Sequence, residues 1–142
     1  AVLALAVGAF VVRAAPAGRH VHGARKDLIV QARSALAGAK VVAALDVGWV
    51  GASTDARVVD LAGLTDPALA ARPGGHTSKA VDVAMLRDRG VDAVVVYGEP
   101  RLVEQRLLRS ALFSERYRLQ ATLAFGQERA GGRQRYDLYR LR

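Results

Sequence analysis

The residues best suited to chemistry stand where short apolar runs stop. One run reads Val41-Val-Ala-Ala-Leu-Asp46-Val-Gly48-Trp49, and a second reads Val58-Val-Asp60-Leu-Ala-Gly63-Leu-Thr-Asp66-Pro67. A β-branched run closing on Asp and Gly reads as a strand end, and ligands of open α/β sheets collect outside such ends. There, Asp46 and Asp60 can accept hydrogen bonds from sugar or ribose hydroxyls, or share a cation. Trp49, the single tryptophan, can stack on the apolar face of a sugar. Each residue also has a purely structural reading. Asp46 can cap its loop, Trp49 can pack at a sheet edge, and Asp60 can hold the Gly63-Leu64 turn through backbone N–H groups.

A second cluster is His76-Thr-Ser-Lys79, behind Gly74-Gly75. Helix N-terminal amides together with Lys79 can hold a phosphate, but the Gly-x-x-x-x-Gly-Lys-Ser/Thr spacing of a phosphate loop is absent. The candidate ligand-binding set is therefore Asp46, Gly48, Trp49, Asp60, Gly63, Asp66 and Lys79. No catalytic residue, metal ligand or cofactor is expected. The chain has no Cys, which excludes disulfides and thiolate metal sites. His20 and His22 have metal-like spacing without neighbouring carboxylates, and Ser53 lacks a nucleophile-elbow context.

The elements that must position these residues follow from hydrophobic periodicity. Leu28, Ile29, Ala32, Ala35 and Leu36 form a helical stripe opposite Arg25, Lys26, Arg33 and Ser34. Val41–Val47, apolar apart from Asp46, reads as a buried parallel strand, and Arg57–Leu61 is a shorter strand. Asp66-Pro67 reads as an N-cap with Pro at the first helical position, opening a turn through Ala71. Thr77 or Ser78 is expected to cap a helix reaching Arg89, and Asp92–Tyr97 is a strand. Pro100 opens a helix whose expected face is Leu102, Val103, Leu107, Leu108, Ala111 and Leu112. From Tyr117 to Phe125 the pattern alternates, placing Tyr117, Leu119, Ala121, Leu123 and Phe125 on one face. A Gly131-Gly132 turn leads to Tyr136–Leu141. The fold class is α/β: a small three-layer or two-layer sandwich, with central parallel strands and an antiparallel C-terminal hairpin.

Twelve residues without a polar side chain open the chain, too few to cross a bilayer, which needs about 20. They read as the end of a transmembrane helix over 1–12, followed by a linker over 13–24 and a domain over 25–142. The net charge of +8 is uneven: +5 over residues 13–40, −3 over 41–100 and +6 over 101–142. Basic flanks of this kind suit anionic lipid, phosphorylated ligands or nucleic acid.

The paired motif, a strand ending Asp46-x-Gly48 followed by Asp60-x-x-Gly63-Leu64-x-Asp66, resembles the C-terminal soluble region of polytopic GT-C-type membrane glycosyltransferases. The likeness extends over roughly residues 26 to 142, and Tyr136–Arg142 is similar to that family's terminal strand. The resemblance implies a polyprenyl-phosphate sugar donor and a catalytic carboxylate in an early extracytoplasmic loop, to which nothing in this chain corresponds. It implies an accessory extramembrane domain with no catalysis of its own. Its partners would be the preceding membrane helices of the same polypeptide and a sugar or polyprenyl-phosphate donor. The domain would be membrane-associated and extracytoplasmic, although Arg13, Arg19, Arg25 and Lys26 after the apolar start fit the cytoplasmic side by the positive-inside rule. Two other classes compete: a nucleotide- or nucleoside-binding α/β enzyme domain, and a basic nucleic-acid-binding module.

Overall fold

The computed structural model describes residues 12, 18, 22–129 and 132–142. Helix α1 covers residues 22–35 within this range, so residues 22–24, expected as linker, are already helical. The rest of the expected membrane-helix end and linker, His20 included, lies outside the described residues apart from Val12 and Gly18. So does Gly131 of the expected turn. Among the described residues, no helix is long and apolar enough to cross a membrane.

After α1 come β1 (Val41–Ala44), α2 (Val47–Gly51), β2 (Arg57–Asp60), α3 (Pro67–Ala70), α4 (Val83–Asp88), β3 (Ala93–Tyr97), α5 (Leu102–Leu108), α6 (Ala111–Arg116), β4 (Tyr117–Arg129) and β5 (Gly132–Leu141). The strands form one sheet in the order β2-β1-β3-β5-β4. β2, β1 and β3 are parallel, and the β4–β5 hairpin is antiparallel to β3 through β5. The α/β class with an antiparallel hairpin is therefore present, as three layers. On one face α1 lays down Leu28, Ala32 and Leu36, an i, i+4, i+8 stripe, and α2 adds Trp49 and Val50. On the other, Leu69, Leu86, Val103, Leu107 and Phe113 from α3 to α6 cover Val94 and Val96. Helices of four to seven residues are too short to persist in water alone. Burial of their apolar side chains, about 1.5–3 kcal/mol for each fully covered Leu or Val, holds them.

Four local expectations change. The strand expected to run to Val47 ends at Ala44, and Val47 already opens the helical turn α2 that carries Trp49. The helix expected from Thr77 or Ser78 begins only at Val83, because Asp82 is its cap and accepts from Met85 N at 2.8 Å. Upstream, Gly74 at φ +101° lets the chain fold back so that Ala80 N reaches Pro73 O. The single apolar face expected for Tyr117–Phe125 is split by a bulge between Leu119 and Ala121. One extra residue reverses the alternation, so Tyr117 joins the α3–α6 core while Leu123 and Phe125 join the α1 core. Similarly, Leu102 and Leu112 from the expected helix face remain more than half exposed. The stretch breaks at Arg109-Ser110 into two helices with different buried sides.

Gly63 sits at φ +77°, and a Cβ there would lie 2.6 Å from Ala70 N and 2.8 Å from its Cα. Gly90 has a similar φ of +67° with open space around it. Gly90→Ala should cost about 1 kcal/mol from left-handed strain alone. Gly63→Ala adds a backbone collision and should cost roughly 3 kcal/mol or abolish folding. Urea midpoints of the two variants check this order.

Candidate functional site

β1 has its sequence successor β2 on one side and β3 on the other, so the strand order reverses between β1 and β3. In open α/β sheets the crevice outside the carboxyl ends at such a point is where ligands lodge. Asp46 follows β1 at this point. It occupies the N-cap position of α2, but its side chain makes no capping bond. Instead, its Oδ2 accepts from the Tyr136 hydroxyl at 2.8 Å and pairs with Arg101 Nη1 at 2.9 Å.

Arg101 is set by the other strand. β3 ends at Tyr97, and the chain turns through Gly98-Glu99-Pro100 into α5. Glu104, on the first turn of α5, is fully buried. Its carboxylate accepts from Tyr97 N (3.0 Å) and from Arg101 N (2.8 Å), Nε (2.9 Å) and Nη2 (2.7 Å). The guanidinium is thereby clamped in a two-point fork, with Nη1 left to meet Asp46. Burial alone would lower the pKa of Arg101. The hydrogen bonds and charge of Glu104, then those of Asp46, outweigh it and hold the group above the usual arginine range.

Tyr136, the first buried residue of β5, is the centre of an aromatic cluster. Its ring lies 4.8 Å from Trp49, 5.2 Å from Tyr97 and 5.3 Å from Phe125. Arg25 of α1 approaches the Tyr136 hydroxyl at 3.5 Å and stands 5.9 Å over Phe125, while Arg101 stands 5.5 Å over Tyr97. Gln134 donates to the Tyr97 hydroxyl at 3.0 Å. Burial, reinforced by the hydrogen bond to Asp46, raises the Tyr136 phenol above its ordinary value despite the opposing pull of Arg25. It therefore stays protonated and donates at neutral pH. Indole Nε1 of Trp49 is buried without a hydrogen-bond partner among the described residues.

Two hollows flank this cluster, and Arg25 and Asp46 line both. One, about 230 Å³, lies among Tyr97, Arg101, Gln134 and Tyr136 and is polar. The other, about 520 Å³, is walled by Ile29, Leu45, Trp49 and Leu64 and is mostly apolar. Aromatic faces beside a fixed arginine–aspartate pair suit a ligand with an apolar surface and several polar groups, such as a sugar or a sugar phosphate. A larger hollow of about 780 Å³ lies at the opposite end of β1, between residues 36–40 and 51–56. Small residues line most of it, and Arg33, Lys40 and Asp55 there share no side-chain hydrogen bond among the described residues.

Of the residues singled out from sequence, the structure brings Asp46 and Trp49 into this cleft, with Gly48 exposed on α2 beside them. Asp60 lies on the neighbouring strand, with Ala44 as its register partner. Its buried carboxylate accepts from Ala62 N (2.9 Å), Thr65 N (2.6 Å) and Thr65 Oγ1 (3.1 Å), which holds the turn that Gly63 completes. Asp66 caps α3 through Leu69 N and pairs with Arg89. Lys79 is nearly buried, and its ammonium donates to Ala70 O and Arg72 O at 2.7 and 3.0 Å. With the helix starting only at Val83, Lys79 has no helix N-terminus beside it. Arg25, Tyr97, Arg101, Glu104, Gln134 and Tyr136 were not singled out. The local signal was Arg101-x-x-Glu104 just after Pro100, the spacing at which a carboxylate returns to the backbone at a helix start.

The family described as a domain of unknown function (DUF8728) matches residues 14–139. No curated protein and no solved structure matches the chain.

Two substitutions test the electrostatics. Glu104→Gln removes the buried charge that clamps Arg101, leaving it only Asp46, and should cost about 3 kcal/mol in urea denaturation. Asp66 is held below the usual aspartate range, first by the hydrogen bond from Arg89. Its contribution is therefore complete above the ordinary aspartate range and lost as pH falls through the lowered native value. Asp66→Asn keeps a capping side chain but not the charge. It should cost about 1 kcal/mol at pH 7, with the gap to wild type closing in acid.

Proposed function

The chain belongs to the DUF8728 family, and from that premise we propose that it is the accessory, extracytoplasmic C-terminal domain of a membrane-bound GT-C-type glycosyltransferase. In this reading it holds part of a sugar or polyprenyl-phosphate donor in the cleft at Asp46 and leaves catalysis to the membrane portion. The observation that carries the reading is the pairing of the Trp49–Tyr136–Tyr97 cluster with the clamped Arg101 and Asp46 at the β1–β3 crevice. Aromatic rings offer stacking surface to the C–H faces of a sugar. Asp46 offers an acceptor to hydroxyls, and Arg25 and Arg101 offer donors to a phosphate. The apolar wall of Ile29, Trp49 and Leu64 would receive the first carbons of a lipid chain.

Position supports the same reading. Arg25 lies near the start of the described part of α1 and reaches the cleft. A membrane helix upstream of α1 would therefore lead into the domain on the side where the donor is held.

Trp49 fluorescence reports on the cleft without a label. Titration with monosaccharides and with short polyprenyl phosphates should shift its emission, with dissociation constants in the region of 1 mM, or about 4 kcal/mol. Asp46→Asn and Arg101→Lys should each weaken the response at least about tenfold while the melting temperature of Asp46→Asn stays near wild type. A flat titration with every sugar and every polyprenyl phosphate would sink the proposal.

A further inference from the structure

At the other end of the hairpin, away from the cleft, the pairing of β4 with β5 and the end of α6 place four arginines near one another, with no ion pair to any of them among the described residues. Arg118 of β4 and Arg140 of β5 are direct cross-strand partners. Arg142 lies two residues beyond Arg140 on the same face. Its N–H donates to Arg116 O at 2.8 Å, so Arg116, the last residue of α6, lies beside it just before β4 begins. Like charges directly opposite on a sheet face are destabilising, so the arrangement is unfavourable unless something answers it.

No ion pair among the described residues answers it. The ion pairs there involve Arg87, Arg89, Arg101 and Arg135, and none reaches these four arginines. Asp92, next to the register partner of Arg140, has both carboxylate oxygens committed to Lys40 N and Val41 N. Asp137 is three residues from Arg140 on β5, and its carboxylate on the opposite face takes Thr122 and Arg135. Arg116 Nε and Arg140 Nη1 are buried with no acceptor among the described residues. A buried donor left unmade is costly, so the fold leaves both of these side chains with hydrogen-bonding capacity that their own chain does not meet.

We propose that Arg116, Arg118, Arg140 and Arg142 form an anion site for an oligophosphate group, recognised through its phosphate oxygens alone. Arg140 and Arg142 are roughly 7 Å apart, two residues at strand spacing, so a chain of linked phosphates can engage both where a single phosphate engages one. Guanidinium forks match phosphate oxygens in pairs. Base recognition is disfavoured because the neighbouring aromatics, Tyr117 and Tyr139, turn to the other face and pack on Phe113. Without a stacking platform, single-stranded nucleic acid has little to hold its bases. This site is separate from the cleft and does not depend on the glycosyltransferase reading.

The test is calorimetric titration of the whole chain with inorganic phosphate, pyrophosphate and tripolyphosphate at constant ionic strength. Tripolyphosphate should bind tightest, with affinity falling as salt rises. The double variant Arg118→Gln, Arg140→Gln should lose at least about tenfold in affinity. Arg118→Gln alone, at an exposed position, should lose part of it. In the absence of ligand both variants should melt at or above the wild-type temperature, because a like-charge contact is removed. Asp46→Asn should bind tripolyphosphate as the wild type does. Equal affinity in the arginine variants, no binding of any phosphate probe, or a base-dependent preference for single-stranded oligonucleotide that tripolyphosphate does not displace would each overturn the proposal.

Discussion

Glu104 carries a carboxylate that solvent does not reach, and the organisation of the cleft depends on how that charge is satisfied. Taking a carboxylate out of water costs several kcal/mol, which only convergent donors can offset. Here one backbone N–H comes from the end of β3 and another from the start of α5, and Arg101 supplies its guanidinium fork. Satisfying Glu104 therefore joins strand end to helix start and freezes Arg101. The remaining arm of the fork reaches Asp46 after β1, and Asp46 in turn accepts from Tyr136 on β5. A single buried charge thus links the carboxyl ends of β1 and β3 to the hairpin.

The hairpin depends on a second constraint, the bulge between Leu119 and Ala121. β4 is thirteen residues long and serves two cores. Before the bulge Tyr117 packs with Phe113 under α6, and its hydroxyl donates to Val91 O at 2.8 Å. After it, Leu123 and Phe125 lie under α1, where Phe125 stacks on Tyr136. A strand without the extra residue would send one of these groups into solvent. The bulge therefore decides that aromatics gather at the cleft, while at the other end of the hairpin Tyr117 and Tyr139 turn away from the arginine ladder.

The glycine and the two aspartates of the second motif half hold the turn after β2 and the start of α3. Asp60 spends its oxygens on the backbone of residues 62–65, and Gly63 admits the close approach of Ala70. Asp66 closes the same region by capping α3 and pairing with Arg89. These roles explain why carboxylates and glycines recur at such spacing without converging on one site.

What the chain's sequence determined by itself was local. Valine-rich apolar runs marked β1 and β3, because a strand buried on both faces disfavours polar residues. Asp66-Pro67 marked the start of α3, because capping and a fixed φ act within one turn. The stripe on α1 marked its buried side, and the strand end at Asp46 marked one wall of the cleft. Tertiary structure decided what depends on contacts between distant residues. Asp46 meets Tyr136 across 90 positions, and Arg25 meets it across 111. No periodicity encodes such pairings, and they follow from sheet order and register. The same holds for Lys79, whose start-of-helix reading failed because carbonyls of residues 70 and 72 claimed its ammonium while Asp82 took the cap. It holds too for the reversal of faces along β4, since a bulge leaves the alternating sequence unchanged and alters only which core each residue meets.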